Sequence, residues 1–234
     1  MSSRRMIAIG GASFVVGALA FVLVFAFLAT TFNYPAVLDG SAAEVLPGLR
    51  EGGSTMRAVW AIYSFLPLLF IPGAVGALCA FRSSRVRMTL ALVVATVAAF
   101  AMCLGLMRWP SINWALAEAY SGASAEAKSG LEAVFAGFNS YLGNYIGEFL
   151  GETMLAAFIL LSSLSVLDEA RLPAWLGWSS AIFALLFFVG AFRNVIDAVQ
   201  TISDVNNSLL PLWMIVFGIT LLLRSRTLAA PDEA

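Results

Sequence analysis

Polar side chains recur near one end of the fourth long apolar segment. Asn144, Glu148 and Glu152 follow one another at four-residue spacing, so a helix places them on one face. Arg108 ends the third apolar segment and Arg193 ends the fifth. A helix crosses the bilayer in about 20 residues, and counting that length from the charged residues on the opposite side places the two glutamates and the two arginines in one layer. Carboxylates and guanidinium groups at that depth can pair, bind a polar ligand or hold a cation.

Two further polar residues, Asn194 and Asp197, follow Arg193 closely and complete a candidate polar cluster. Its members are Arg108, Asn144, Glu148, Glu152, Arg193, Asn194 and Asp197. Because Arg193 and Asp197 are four residues apart, they are equally suited to pair with each other on their own helix. The alternative is a contact between Arg193 and the acids of the fourth segment.

Three interpretations of this cluster remain open. In the first, arginine–glutamate pairs form a structural clasp that fixes helix register, since charges near the bilayer boundary still reach water. In the second, the charges line an outward-facing pocket for a small polar ligand or a lipid headgroup. In the third, Glu148 and Glu152 hold a hard cation, because carboxylates without histidine suit only such ions. The clasp is the main hypothesis, and no metal or cofactor is predicted.

Glycines and prolines predict how two of the segments pack. Gly143, Gly147 and Gly151 form a stripe at four-residue spacing, which allows another helix to approach closely. We therefore expect the fourth segment to be the packed centre of the bundle. In the second segment, Pro67 and Pro72 each remove a backbone donor and predict a kink. Such a kink serves either helix packing or the formation of a cavity.

The composition excludes most soluble functions. Of 234 residues, 61% are apolar and only 12% are charged, with a mean hydropathy of +0.90. Soluble domains are about half apolar and a quarter charged. A net charge of −1 gives no reason to expect a nucleic-acid partner. The sequence has no histidine and no catalytic signature, which excludes histidine-ligated haem, histidine-based zinc sites and serine–histidine–aspartate triads.

Six stretches of about 20 apolar residues are long enough to cross a bilayer as helices. They run near Met6–Phe32, Arg57–Phe81, Met88–Met107, Tyr145–Leu167, Trp175–Arg193 and Ser208–Leu223. The sequence therefore predicts an all-α integral membrane protein, a six-transmembrane-helix bundle that forms one domain over residues 1–234. Its outer loops are expected at residues 33–56, 110–144 and 194–207.

The distribution of charge predicts that the N- and C-termini are both cytoplasmic. Eight of the 13 basic residues lie on the side of the N-terminus, against four of the 14 acidic residues, which include Asp232 and Glu233. Arg4 and Arg5 precede a first segment that is too long for the core of a cleaved signal peptide. We therefore expect an uncleaved signal anchor.

The tryptophans agree with this orientation. Five lie where an aromatic belt at the membrane interface is expected, with Trp60, Trp109 and Trp114 outside and Trp175 and Trp178 inside. Trp213 lies about one turn too deep for a belt, so we expect it to pack between helices.

The longest outer connection carries helical patterns of its own. Ser111 is expected to cap a short helix through Tyr120, whose apolar stripe suits the membrane surface. This is the predicted outer-face amphipathic helix between spans 3 and 4. From Ala125 a second apolar stripe leads into the fourth segment. A continuous helix there would have about 43 residues and would either project outward or bend at Gly130 or Gly137.

Several motifs resemble those of one known family. They are Gly105-Leu106-Met107-Arg108-Trp109-Pro110, Phe138-Asn139-Ser140-Tyr141-Leu142-Gly143, Gly147-Glu148-Phe149-Leu150-Gly151 and Pro173-x-Trp175-Leu176-Gly177. Over most of the chain they resemble the multi-pass membrane family catalogued as domain of unknown function 4386. The resemblance implies a six-helix protein of the bacterial cytoplasmic (inner) membrane. It carries over no catalytic or binding residue.

These observations favour a non-enzymatic multi-pass inner-membrane protein with a structural, regulatory or accessory role. The alternative is a small transporter, channel or lipid-binding protein that uses an outward-facing pocket at Glu148 and Glu152. A membrane-embedded lipid enzyme is a third hypothesis, and it would need a carboxylate acid/base pair or a metal. The expected partners are the lipid bilayer and either another membrane protein or a second copy of the chain.

Overall fold

The structure is a computed structural model that describes residues 2–229, so Asp232 and Glu233 lie outside it. Over that range the chain is helical and contains no strand. Six of its helical spans are long and apolar enough to cross a membrane: Ser3–Phe32 (span 1), Gly53–Ala80 (span 2), Arg85–Tyr120 (span 3), Ala125–Leu167 (span 4), Ala174–Asn194 (span 5) and Asp197–Leu228 (span 6). The predicted all-α, six-helix membrane bundle is confirmed.

Residues 2–229 form ten α-helices, joined by shorter 3₁₀ and π segments. The α-helices are α1 (Ser3–Thr31), α2 (Ala42–Glu51), α3 (Gly53–Phe65), α4 (Phe70–Ala80), α5 (Arg85–Met107), α6 (Trp114–Tyr120), α7 (Ala125–Phe138), α8 (Gly151–Leu167), α9 (Ala174–Gly190) and α10 (Gln200–Leu228). The connections from α8 to α9 and from α9 to α10 are short, so spans 4, 5 and 6 run antiparallel to one another in sequence.

Span 2 changes helix type near its prolines. A 3₁₀ segment, Leu66–Leu69, contains Pro67 and separates α3 from α4. Pro67 lacks the N–H that a regular α-helix would use, so the tighter turn accommodates it. Pro72 lies in the first turn of α4, where backbone N–H groups have no partner within the helix. The interruption of span 2 therefore lies at Pro67.

Span 3 continues where a separate helix was expected. The backbone N–H of Asn113 donates to the carbonyl of Arg108 at 2.8 Å, a π-type bond that carries the helix past Pro110. Ser111 caps nothing: its hydroxyl donates to the carbonyl of Met107, one turn earlier. The prediction of a helix start at Ser111 is therefore wrong. α6 packs against α2 and α7, with Leu116 and other members of its apolar stripe buried by protein.

Span 4 is one helix of 43 residues. Its irregular part is a π segment, Asn139–Leu150, that joins α7 to α8. The expected bend sites, Gly130 and Gly137, lie within regular α7, in open surroundings where an added Cβ would meet no atom within 4 Å. The irregularity thus falls on the stretch that carries Asn139, Asn144 and Glu148, and π turns are frequent at functional sites.

The six spans form a closed ring in which each packs against the next, and span 6 returns to pack against span 1. Span 4 lies between spans 3 and 5 in this ring, so the expectation that it is the centre of the bundle is wrong. The centre is filled by aromatic side chains instead. Phe14 lies 5.8 Å from Trp213 and 6.1 Å from Phe158, between ring centroids, and Trp213 stacks on Phe217 at 5.0 Å. Trp213 packs between helices, as expected.

Glycines allow the closest contacts between spans. A Cβ added to Gly10 of span 1 would lie 2.6 Å from the Cα of Gly76 in span 2. A Cβ added to Gly105 of span 3 would lie equally close to the Cα of Gly147 in span 4. No real side chain fits in these gaps, so the backbones touch directly, as small residues allow in membrane bundles.

At one end of the bundle, called here the loop-rich end, residues 33–52 and helices α6 and α7 cover the spans. Residues 33–56, expected as a loop, contain α2 and the start of α3. Gly53, at φ +60°, supplies the left-handed conformation that joins these two helices. Trp60 and Trp109 stack here at 4.6 Å between centroids and are fully buried. The prediction that they form an interfacial belt is wrong, because they pack against each other.

At the opposite end, called the terminal end, the turn after α8 is tied to two other spans. The carboxylate of Asp168 pairs with Arg87 of α5 at 2.6 Å. Arg171 pairs with Glu169 at 2.7 Å and also donates to the backbone carbonyl of Thr227. The Arg171 guanidinium holds the pKa of the Glu169 carboxyl below its ordinary value. Trp175 and Trp178, both 62% exposed, also lie at this end.

The contact between spans 3 and 4 gives a first prediction. An added Cβ at Gly147 would lie 2.9 Å from the Cα of Gly105, so Gly147→Ala must push the two backbones apart. We expect a loss of roughly 1–3 kcal/mol of stability, measured by unfolding of the purified protein in detergent. Gly137→Ala, in open space on the same span, is the matched control and should be neutral or stabilising by up to about 1 kcal/mol. Equal losses in both variants would contradict the close contact.

Candidate functional site

The structure brings Glu148 and Arg193 together at the loop-rich end. Arg193 Nη2 lies 2.6 Å from Glu148 Oε1, and its Nε donates to Oε2 at 3.2 Å. Both side chains are largely buried, at 15% and 12% exposure. Asn194 donates to Glu148 Oε2 at 2.7 Å and to the backbone carbonyl of Asn144 at 3.2 Å. The Glu148 carboxylate therefore has three donor contacts, and it connects span 4 to span 5.

Asp197 does not belong to this group. α9 ends at Gly190 and a 3₁₀ segment follows it, while Asp197 begins another short 3₁₀ segment beyond an extended residue. The helical spacing needed for a local pair with Arg193 is therefore absent. Asp197 is exposed and forms no ion pair within residues 2–229. Of the two alternatives for Arg193, the structure shows the contact with span 4.

Arg108 is the most deeply buried charge, at 3% exposure. Its Nε donates to Asn139 Oδ1 at 2.9 Å, and its Nη1 donates to the carbonyl of Gly105 at 2.6 Å. The guanidinium lies 5.2 Å from the ring centroid of Trp109. Its Nη2 atom is buried and has no hydrogen-bond partner in the described part of the chain. The expected ion pair between Arg108 and an acid of span 4 is wrong, because neutral groups hold its guanidinium.

Gly143 makes room for this arginine. A Cβ added at Gly143 would lie 2.5 Å from the Cζ and Nη2 atoms of Arg108. The next glycine of the stripe, Gly147, meets the backbone of span 3, and Gly151 meets the side chain of Met102. The glycine stripe thus positions span 3 and leaves a slot for the Arg108 guanidinium.

Asn139 is the residue that sequence reasoning missed. Its Oδ1 accepts from Arg108, and its Nδ2 donates to the carbonyl of Leu38 at 2.9 Å, so one amide joins the arginine to residues 33–41. A signal was available, because Asn139 lies four residues before Gly143 and shares the face of the glycine stripe. The family motif that contains Asn139 assigned no role to it.

Glu152 lies one turn below Glu148 and is half-buried. Within residues 2–229 its carboxylate has no hydrogen bond and no ion pair within 4 Å, although its charge acts on Arg193. The Glu152 side chain lines a cavity instead of meeting a hydrogen-bond partner. Glu148 and Glu152 have no third acidic or cysteine side chain beside them that could complete a cation site, since no group of three or more such side chains lies together in the described chain.

Arg108 and Glu152 face the same cavity, which has a volume of about 90 Å³. All six spans line it, through Phe21, Tyr63, Arg108, Glu152, Arg193 and Asn207 in chain order. Residues Tyr34, Pro35 and Leu38 cover it at the loop-rich end. The hydroxyls of Tyr34 and Tyr63 lie 3.3 Å apart, and burial raises the pKa of Tyr34 above its ordinary value, so this phenol stays neutral.

A second, apolar cavity of about 50 Å³ adjoins the first. It shares the lining residues Phe21, Tyr63 and Met102 with the polar cavity and extends to Pro67 and Met214. The 3₁₀ break in span 2 therefore lies against this space. Beyond it, toward the terminal end, the central aromatic cluster fills the bundle.

The fold and the cavity define the class: a six-helix integral membrane protein with a cavity near one end whose lining combines charged and apolar side chains. The chain belongs to the family described as "Domain of unknown function (DUF4386)", which it matches over residues 9–225. The resemblance seen in its motifs is thereby confirmed. The chain matches no curated protein and no solved structure.

The ion pair at this end gives a second prediction. Glu148→Gln removes the charge that compensates the largely buried Arg193, so we expect a loss of about 3 kcal/mol of stability. Asp197→Asn removes an exposed carboxylate at the same end and is the matched control, expected to change stability by less than about 0.5 kcal/mol. Unfolding of each variant in detergent measures both. A Glu148→Gln variant as stable as Asp197→Asn would show that the pair holds nothing together.

Proposed function

We propose that this protein binds a small polar ligand in the cavity between its six spans. The observation that carries the proposal is Arg108, which lines the cavity and whose Nη2 atom is buried without a partner in residues 2–229. A buried donor left unpaired costs about 1–3 kcal/mol, and more when it is charged. A ligand acceptor or bound water in the cavity would remove that cost.

Two further features support a binding role. Asn139 and the carbonyl of Gly105 hold two of the Arg108 nitrogens and leave the third without a partner, so the charged group is fixed in position as in a binding site. Asn139 also joins Arg108 to Leu38, which belongs to the segment that covers the cavity. A ligand bound to the arginine would therefore be connected to that segment through one side-chain amide.

A structural, regulatory or accessory role without enzymatic activity is the second candidate. It is favoured by the Glu148–Arg193–Asn194 group, which is satisfied internally and clamps span 4 to span 5. The two proposals are compatible, since the clamp forms one wall of the cavity. In either case the bilayer is the surrounding partner, and the exposed apolar faces leave room for another membrane protein or a second copy.

The test of the binding proposal uses four probes: valine, isovalerate, isobutylamine and phosphatidylethanolamine. A ligand that binds only the folded protein raises its unfolding temperature, and the rise grows with the logarithm of the ligand concentration above the dissociation constant. At constant ionic strength and pH, we expect a concentration-dependent rise with at least one probe in the wild-type protein and in Asp197→Asn. The rise should disappear when Arg108→Gln and Glu152→Gln are combined, a pair of changes that keeps the net charge. No rise with any probe would overturn the proposal.

We further propose that the loop-rich end faces the outside of a bacterial inner membrane and that both termini are cytoplasmic. The charge distribution supports this orientation. In intact cells, a membrane-impermeant maleimide should label Ser121→Cys, between α6 and α7, but not Thr227→Cys, near the end of α10. Both positions are exposed. The opposite labelling pattern would reverse the topology, and unsubstituted protein controls for Cys79 and Cys103.

A further inference from the structure

The charges around the cavity balance in a way that restricts its ligand. Glu148 and Arg193 neutralise each other across 2.6 Å. What remains is one cation, Arg108, with a free Nη2 atom, and one acid, Glu152, without a hydrogen bond in the described chain. A simple anion would pair with Arg108 but be repelled by Glu152. A simple cation would pair with Glu152 but be repelled by Arg108.

The adjoining space adds a third requirement. The apolar cavity shares a wall with the polar one, and its other lining residues include Leu66, Phe70 and Met214. It offers no charged group to a ligand, so only an apolar part of a ligand gains by entering it. The polar cavity equals about three water molecules by liquid volume, which suits a carboxylate and an ammonium on one or two carbons.

We propose that the ligand is a small zwitterion that carries an apolar group. Its anionic group binds Arg108 Nη2, its ammonium binds the Glu152 carboxylate, and its apolar group enters the cavity beside Pro67. This inference rests on the proposed binding function. A free amino acid with an apolar side chain supplies all three groups, because its side chain fits the apolar cavity of about 50 Å³. A membrane lipid with an ethanolamine headgroup supplies the two charges, but its acyl chains do not fit that cavity.

The test compares three molecules of matched shape. Valine has both charges, isovalerate lacks the ammonium and isobutylamine lacks the carboxylate, while all three keep the branched apolar group. We expect valine to raise the unfolding temperature at concentrations at least tenfold lower than either analogue. Glycine, which lacks the apolar group, should require roughly tenfold more than valine. Isovalerate or isobutylamine as effective as valine would overturn the zwitterion and leave the binding function standing.

Single variants assign the two ends. In Arg108→Gln, valine should lose its advantage over isobutylamine, because the anion site is gone. In Glu152→Gln, valine should lose its advantage over isovalerate. If Arg108→Gln does not fold, Arg108→Lys retains the charge but not the fork of donors and should weaken valine more than isobutylamine. Variants that weaken all three molecules equally would contradict the assignment.

A lipid arm identifies the source. Phosphatidylethanolamine and phosphatidylglycerol with identical acyl chains differ in the ammonium group, so only the first is a zwitterion. If phosphatidylethanolamine stabilises the protein and valine does not, the zwitterion is a lipid headgroup. If valine stabilises it, the ligand is a free solute. Equal stabilisation by the two lipids, with no effect of valine, would overturn the inference.

Discussion

The structure depends on the direct contact between the backbones of spans 3 and 4. Gly105 and Gly147 leave no space for a side chain between them, so the two helices approach as closely as their backbones allow. One turn away, Gly143 leaves a slot that the Arg108 guanidinium fills. In a bilayer, where apolar surface gains little by leaving lipid, such packing is a main source of helix association. The contact therefore fixes both the fold and the position of its most buried charge.

Charge pairing acts on top of this packing. Glu148 and Arg193 satisfy each other and secure span 5 to span 4, while Asn194 donates a further hydrogen bond to the carboxylate. Arg108 is held by neutral oxygen atoms, a weaker arrangement that leaves its Nη2 atom without a hydrogen-bond partner in the described chain. The internal cavity thus combines a satisfied pair, which is structural, with two charges that have no hydrogen-bonded ionic partner among residues 2–229. The clasp hypothesis therefore applies to Glu148 and Arg193, and the pocket hypothesis applies to Arg108 and Glu152 in the same layer.

The class of fold and the six apolar segments followed from the sequence, because the length and hydropathy of a spanning helix are local properties. The spacing of Glu148 on its helix also predicted its face. What could not be predicted depends on partners distant in sequence. Asn139 meets Leu38 across 101 residues, and Trp60 stacks on Trp109 instead of facing the interface. Ser111 resembles a cap because serine is a preferred N-cap residue, but a π turn carries the helix past it.

Neutral groups hold Arg108 beside the cavity and leave its Nη2 atom without a partner among residues 2–229. An experimental structure of the protein in lipid nanodiscs, at a resolution that defines side chains, measures this directly. We expect Arg108 Nε on the amide oxygen of Asn139, the guanidinium against Gly143, and either a ligand or water at Nη2. Arg108 in a direct ion pair with Glu148 or Glu152 would contradict it.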